Sequence, residues 1–188
     1  MENVVNLMEL ATKASVGQAN VYEIMRLSQS QTPMVLFTPN ALKVGLHFHE
    51  NQYCQCNGKG CLLCQLGRKR TDKYVMPIYL PETMNVALLP ITDHKVPGSL
   101  LPQLTRYLSP DTLTLVFVSR VDNAHFHVES GLNLEETPQM LSTIQHFNSQ
   151  VSAGNVDLAN VFPQFTNEEL AKSQEIALLM RLKGISLP

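Results

Sequence analysis

Residues 54–64 read CQCNGKGCLLC, and this stretch holds all four cysteines of a 188-residue chain. Two glycines between Cys56 and Cys61 let the backbone fold tightly, so that several thiolates can converge on one ion. A Cys-x-x-Cys pair that closes such a loop is the usual half-site of a tetrahedral zinc centre. The spacing therefore predicts one zinc ion bound by Cys56, Cys61 and Cys64 and by a fourth ligand just upstream.

The fourth ligand has three candidates. His47 is favoured because it lies in ALKVGLHFHE, whose alternating pattern predicts a strand that can hold an imidazole steady. Cys54 comes second and His49 third. The chain lacks both a His-x-Glu motif beside a Cys-x-x-Cys, as zinc deaminases require, and a His-Glu-x-x-His helix. We therefore expect a structural ion rather than a catalytic one.

The same cysteines could instead form a redox pair of the thioredoxin kind, or be free thiols that merely cluster. A redox pair uses the N-terminus of a helix to lower a thiol pKa, and the residues after Cys61 predict no strong helix. The four cysteines also lie too close in sequence to staple distant parts of a fold, as the disulfides of secreted proteins do. The pattern favours zinc and a reducing, cytoplasmic location.

Strand-like runs lie on both sides of the cysteines. They are rich in β-branched and aromatic residues, and they read MVLFTP before the cysteines and YVMPIYLPE, MNVALLPIT, TLTLVFVSRV and AHFHVES after them. The segment VPGSLLPQLTRYLS predicts a short helix with Ser99 as a candidate N-cap. Five or so strands with one helix before the last pair suit a small barrel. We expect an α+β fold with a mainly β core over residues 32–131.

Helical segments are predicted on both sides of this core. Residues 1–31 carry apolar side chains at helix-like spacing and predict one or two short helices, whereas residues 132–188 predict a C-terminal helical extension. Its last helix begins with a capping box formed by Thr166 and Glu169 and ends at Gly184. No apolar run reaches the roughly 20 residues that a membrane span needs, so we expect a soluble protein with no targeting segment and no membrane partner.

The net charge of −2 is unevenly distributed along the chain. Residues 41–132 carry nine Lys and Arg against seven Asp and Glu, whereas residues 133–188 carry three against six. The middle of the chain is therefore mildly basic and its tail acidic, an asymmetry that favours an anionic ligand for the middle segment.

Basic and aromatic residues follow the cysteines directly. This combination suits single-stranded nucleic acid, because phosphates bind the cations and bases stack on the rings for roughly 1–3 kcal/mol each. In the alternative, structural reading, the cations merely solvate a turn and the tyrosines pack inward. The candidate contact residues are Arg68, Lys69, Arg70, Lys73, Tyr74, Tyr79 and Arg120.

The order of these features resembles that of the phage-type single-stranded-DNA-binding (helix-destabilising) proteins. The resemblance covers residues 33–130: a strand with His47, the loop CNGKGCLLC, Gly67-Arg68, a strand hairpin, a leucine-rich helix and a final hairpin with Arg120. Members of that family have an OB-fold in which zinc, held by one His and three Cys, stabilises an insertion between early strands. Their DNA lies in a basic, aromatic cleft nearby.

The resemblance implies an OB-fold-like small barrel with a zinc-binding loop insertion. It implies His47, Cys56, Cys61 and Cys64 as the zinc ligands. It also implies DNA contacts from Arg68, Lys69, Arg70, Lys73 and Tyr74. Proteins of this kind often end in acidic segments that recruit replication partners, and the acidic balance of residues 133–188 is compatible with such a role.

Two functions follow from the sequence. The first is single-stranded DNA binding without strong sequence preference, as an accessory of replication, recombination or repair with a structural zinc ion. The alternative is a zinc-stabilised protein–protein interaction module, which predicts no DNA affinity and an exposed apolar stripe on the terminal helix. The chain contains no nucleophile elbow, phosphate loop, dinucleotide glycine motif or paired-carboxylate signature, so we expect that it is not an enzyme.

Overall fold

The computed structural model describes residues 22–94 and 96–186. These residues form an eight-stranded, mainly antiparallel sheet with five α-helices and one short 3-10 helix, which confirms the predicted α+β, mainly β architecture. The strands are β1 (Glu23–Ile24), β2 (Thr32–Leu36), β3 (Leu42–His49), β4 (Gln52–Gln55), β5 (Arg70–Leu80), β6 (Asn85–Thr92), β7 (Thr114–Arg120) and β8 (Phe126–Ser130). The helices are α1 (Leu62–Gln65), α2 (Leu100–Leu104), α3 (Pro138–Ser152), α4 (Asn167–Ala171) and α5 (Gln174–Lys183), and the 3-10 helix is Leu158–Val161.

The main path of the sheet runs in the order β1-β6-β5-β2-β7-β8. Strand β3 pairs with the first half of β5, and β4 pairs with β3, so these two strands form a hairpin beside the main path. Strand pairing does not close the described sheet into a barrel. Helix α2 contacts both β6 and β8, and it thereby spans the open side between them.

Two layers of apolar side chains form the core, one on each face of β5. Met76 and Ile78 belong to the cluster that includes α2 and β7, whereas Val75 and Tyr79 belong to the cluster beneath α3. The alternation follows from the two-residue period of a strand. Because both faces of β5 are covered, its second half reads as a continuous apolar run rather than as an alternating one.

Residues 22–31 are not helical, contrary to the prediction. Glu23–Ile24 form β1, which pairs in parallel with β6. Met25 and Leu27 both pack against the first core cluster while Arg26 between them is exposed, as in an extended chain. An apolar residue at every second position was thus mistaken for helical spacing. The rest of the predicted N-terminal helical segment lies outside the described residues.

The C-terminal helices are an integral part of the packed structure. Helix α3 buries Met140, Ile144 and Phe147, which lie on one face at i, i+4 and i+7, in the second core cluster. The predicted capping box of Thr166 and Glu169 is present, and it begins α4. The single helix predicted after it is divided into α4 and α5, and α5 ends at the predicted Gly184, whose φ is 64°.

No helix in residues 22–94 and 96–186 combines the length and the apolar character that a membrane crossing requires.

Candidate metal centre and adjoining groove

Four side chains converge beside the β3–β4 hairpin. The ligand atoms of His47, Cys56, Cys61 and Cys64 all lie within 4.8 Å of one another. His47 Nε2 is 3.2 Å from Cys64 Sγ, and the Sγ atoms of Cys56 and Cys64 are 3.6 Å apart. Zinc bonds of about 2.0 Å to nitrogen and 2.3 Å to sulfur, arranged tetrahedrally, separate such donors by roughly 3.5–3.8 Å. The donor set therefore fits an ion of the size of zinc.

Strand and loop geometry together place these four groups. His47 lies in β3 between its sheet neighbours Cys54 in β4 and Arg70 in β5. Between Cys56 and Cys61 the two glycines have φ values of 70° and 88°, which a side chain would disfavour. Cys61 is the N-cap of α1, a four-residue helix at a place where the sequence predicted no strong helix.

The His47 ring is buried and oriented by a backbone hydrogen bond. Its Nδ1 donates to the carbonyl of Lys69 at 3.2 Å, which leaves Nε2 as the acceptor facing the thiols. Burial lowers the pKa of His47, and the charge of Arg70 lowers it further, although the bond to Lys69 opposes the shift. A neutral imidazole is the form that binds metals.

The thiols repel one another once they ionise. Burial, together with Cys56 and Cys61, raises the pKa of Cys64 to about 12. Burial acts in the same direction on Cys61, but backbone N–H groups, first that of Cys64, outweigh it and lower the pKa of Cys61. Such N–H bonds stabilise a thiolate, and a bound cation would relieve the repulsion that remains.

The two other candidate ligands lie outside the cluster. Cys54 is 1% exposed, and its thiol donates to the carbonyl of His47 at 3.6 Å. His49 approaches Glu50 instead, with Nε2 3.7 Å from the carboxylate, and its ring lies near that of Phe165. Of the three candidates for the fourth ligand, His47 is the one whose ring nitrogen lies close to the thiols of Cys56, Cys61 and Cys64.

The predicted basic run does not form one continuous surface. Arg68 pairs with Glu175 of α5, and Arg70 pairs with Asp72, which also binds Lys43 at 2.9 Å. The Lys69 side chain, which follows residues 56–64, here called the Cys/His loop, is exposed. These cations therefore contribute less free charge than the sequence suggests.

The two predicted tyrosines pack inward to different extents. Tyr74 is half-buried against the first core cluster, with Lys43 Nζ 6.0 Å from its ring centroid. Tyr79 is 3% exposed and belongs to the second core cluster beneath α3. Tyr79 therefore has no ring face to offer a base, which corrects its place in the predicted contact set. Tyr79 lies two residues after Pro77 and four after Val75, so it points to the same face of β5 as they do, the face that packs beneath α3.

A groove of about 640 Å³ lies against the β3–β4 hairpin that leads into the Cys/His loop. Its sides come from the β3–β4 hairpin, the β7–β8 loop and residues 161–163. Lys73 and Arg120 of the predicted contact set line it, together with Arg26. The described residues that line the groove include no Asp or Glu, although the whole chain is net negative.

An aromatic pair at the hairpin forms one side of this groove. Phe48 is 56% exposed, and its ring packs edge to face against Tyr53 with the centroids 5.4 Å apart. Lys73 Nζ lies 4.0 Å from the centroid of the Tyr53 ring. Burial lowers the pKa of Lys73, because its ammonium group is partly withdrawn from water. Partial desolvation also strengthens its attraction to the π-electrons of the Tyr53 ring.

Sequence reasoning missed Phe48, Tyr53 and Arg26. Phe48 shares a strand face with Val44 and Leu46, both buried, so strand periodicity alone would place it in the core. It emerges because the hairpin turn follows directly, at Glu50 and Asn51, which have φ values of 45° and 64°. Asn in a turn between alternating runs was a signal for that hairpin.

The β7–β8 loop holds Arg120 in place on the opposite side of the groove. Its guanidinium donates to the carbonyl of Asp122 at 2.9 Å and to the Asn123 side chain at 3.0 Å. The backbone N–H of Ala124, with the ring and N–H of His125, lowers the pKa of Asp122 to about 2. The loop that orients Arg120 is thus itself tied by local hydrogen bonds.

No family model, curated protein or solved structure matches this chain.

Proposed function

We propose that this chain binds single-stranded DNA in the groove and holds a structural zinc ion at His47, Cys56, Cys61 and Cys64, acting as an accessory of replication, recombination or repair. The observation that carries the proposal is the exposed Phe48 ring beside a half-buried cation, Lys73. A base stacking on such a ring contributes roughly 1–3 kcal/mol whatever its identity. Phosphates beside the cations add an attraction that weakens with salt.

The charge of the groove supports this proposal. Arg26, Lys73 and Arg120 reach it from three separate parts of the chain, and no described lining residue is acidic. Cations concentrated in a concave site attract an anionic chain even when the protein is net negative. The surrounding apolar and aromatic surface suits bases rather than a simple phosphate ion.

The strand order supports an OB-type barrel as the scaffold. An OB-fold is a five-stranded, partly open Greek-key barrel that binds oligonucleotides on its second and third strands and in the loops after its first and fourth strands. The five strands of such a barrel would be, in chain order, β2, β5, β6, β7 and β8. In this sheet β5 lies between β6 and β2, and β7 lies between β2 and β8, which is compatible with that assignment. The β3–β4 hairpin with the Cys/His loop then follows the first strand, and residues 121–125 follow the fourth. The groove lies between these two connections.

A second candidate function is a protein interaction module with no nucleic-acid partner. It is favoured by the outer face of α5, where Leu178 and Leu182 are 57% and 74% exposed and lie one turn apart. On this hypothesis the zinc ion serves to hold α5 against the Cys/His loop. The same helix could recruit replication or recombination proteins to a DNA-bound chain.

The test is a fluorescence-anisotropy titration of labelled oligo-dT with zinc-loaded protein at two salt concentrations. We expect salt-sensitive binding that Phe48→Ala weakens about tenfold, since one stacked base is lost. Lys73→Ala should weaken binding and reduce the salt slope by about one phosphate contact.

Two control variants separate the candidate functions. Lys59→Ala removes an exposed cation outside the groove and should leave affinity unchanged, and so should Leu182→Ala on α5. If the folded, zinc-containing protein does not bind oligo-dT at low salt, the DNA proposal is wrong. An equal loss from Lys59→Ala and Lys73→Ala would mean that the groove is not the binding site.

A further inference from the structure

One side of the groove is held by the strand that leads into the Cys/His loop. Gln55, the last residue of β4, donates from its backbone N–H to the carbonyl of Pro163 at 2.9 Å. Its side-chain Nε2 donates to the carbonyls of Ala159 and Phe162, each at 2.9 Å. Three hydrogen bonds from this one residue thus fix residues 157–165, which we call the wall segment.

The end of the wall segment and the chain that follows it are bound to the Cys/His loop itself. Asn57 donates to the carbonyl of Phe165 at 2.7 Å. The Asn167 side chain accepts from the N–H of Leu62 at 3.0 Å and donates to the carbonyl of Gly60 at 2.9 Å. Below these bonds, apolar side chains of α1 pack against Leu170 and Ile176 of the last two helices.

The wall segment has little regular structure of its own. Its 3-10 helix, Leu158–Val161, is one turn long and begins at Asp157, whose side chain accepts from the N–H of Ala159 at 2.8 Å. Short 3-10 turns are marginal without tertiary contacts. Phe162 is buried in the second core cluster, and Leu158, Ala159 and Val161 pack against it. The polar anchors of the segment are the bonds from Gln55 and Asn57. The position of the wall segment therefore depends on both the sheet and the loop.

We propose that Gln55 is a positioning residue that couples the Cys/His loop to the groove, so that metal binding by the loop regulates the groove through the wall segment. Gln55 and Asn57 flank the ligand Cys56, and a loop of this kind gains its folding energy from the ion. When the loop loses its metal, Asn57 loses its fixed position, and Gln55 is no longer held from the loop side, although its pairing with Leu46 of β3 remains. Val161, Phe162 and Pro163, which line that side of the groove, are then held less firmly. The effect on DNA rests on the proposed function, whereas the coupling itself does not.

Hydrogen–deuterium exchange of the full chain tests the coupling directly. Peptides covering residues 157–165 are compared in zinc-loaded protein, after zinc is withdrawn by a chelator, and after it is restored. We expect amide exchange in the wall segment to rise roughly tenfold or more without zinc and to return on reloading, because local opening then requires fewer broken bonds. Peptides from β5 and β6 should change little. The coupling is overturned if loop peptides exchange faster while the wall segment does not.

Substitution of Gln55 separates positioning from general destabilisation. Zinc-loaded Gln55→Ala should still bind one zinc ion but show faster amide exchange in the wall segment. Withdrawing zinc from this variant should raise that exchange by a smaller factor than in the wild type, since the two changes break the same connection. The matched control is Gln52→Ala, which alters the same strand and should leave wall exchange unchanged. Wild-type exchange in zinc-loaded Gln55→Ala, or strictly additive effects, would overturn the proposal.

The two proposals fail separately. Exchange needs no DNA, so a protein that shows the coupling but does not bind oligo-dT would overturn the proposed function and support the coupling. If oligo-dT binds and its affinity falls severalfold in Gln55→Ala, both are supported, because Gln55 itself does not line the groove.

Discussion

Residues 75–80 of β5 are all buried, whereas residues 56–60 of the Cys/His loop are all half-buried or exposed. Both segments are central to the molecule, yet they hold their shapes by different interactions. The strand is covered on both faces by apolar side chains. The loop closes around four ligand groups, and its small apolar cluster is shared with α4 and α5.

This difference implies two separately adjustable contributions to stability. Each large apolar side chain that the sheet buries contributes about 1.5–3 kcal/mol, independently of metal. The loop contains thiols that repel one another when ionised, and a metal ion bound there would relieve this repulsion and add its binding free energy to folding. The sheet should therefore survive metal removal, whereas the loop and the helices that pack on it should not keep their order.

The largest expected effect comes from removing one ligand. Cys61→Ser should abolish stoichiometric zinc binding, because three remaining groups cannot complete a closed structural site. Elemental analysis of the purified protein measures the metal content. We also expect protection from hydrogen exchange to be lost in the loop and in α4 and α5 but retained in β5 and β6.

Cys54→Ala is the matched control for this change. Cys54 and Cys61 are both 1% exposed and lie in the same apolar cluster, but Cys54 is outside the ligand set. Its variant should keep one zinc ion per chain and lose only the packing of one thiol. If Cys54→Ala loses zinc as completely as Cys61→Ser, the ligand assignment is wrong and the comparison between loop and sheet fails.

The ligand set was more predictable from the sequence than the groove, and the reason is distance along the chain. Three ligands, Cys56, Cys61 and Cys64, lie within nine residues, and their spacing alone constrains the geometry. His47 follows from the strand that enters the loop. The capping box at Thr166 is equally local. Patterns of this kind are read from neighbouring residues.

The groove depends on tertiary contacts that no local pattern contains. Arg26, Phe48 and Val161 come from three distant segments, and no spacing links them. Periodicity showed that Tyr79 and Ile78 lie on opposite faces of β5, but it could not show that α3, about 60 residues later, covers the face of Tyr79. The pairing of Arg68 with Glu175 likewise requires α5 to pack against the loop.

A core substitution tests the other half of the comparison. Ile78 is fully buried in the first core cluster, and Ile78→Ala should lower the free energy of unfolding by about 2–5 kcal/mol through lost contacts and a cavity. Chemical denaturation measures this change, and the folded variant should retain its zinc. Leu182→Ala, at an exposed apolar position, should change stability by less than about 0.5 kcal/mol. Loss of zinc from folded Ile78→Ala would show that sheet and loop are not separable.

The smallest expected effect concerns α4, which packs against the loop through Leu170 and carries its own cap. The Thr166 side chain accepts from the N–H of Glu169 at 3.2 Å, and the Glu169 carboxylate accepts from the N–H of Thr166 at 2.8 Å. Thr166→Ala should destabilise α4 locally by about 1 kcal/mol, measured by hydrogen exchange in residues 166–172 of the zinc-loaded protein. Ser173→Ala is the control, since Ser173 begins α5 without a side-chain cap bond and its loss should have little effect.

If Thr166→Ala leaves α4 unchanged while zinc withdrawal frees it, contact with the loop alone holds this helix. If Thr166→Ala instead raises exchange in α4 as much as zinc withdrawal does, the order of α4 requires both its own cap and its contact with the loop.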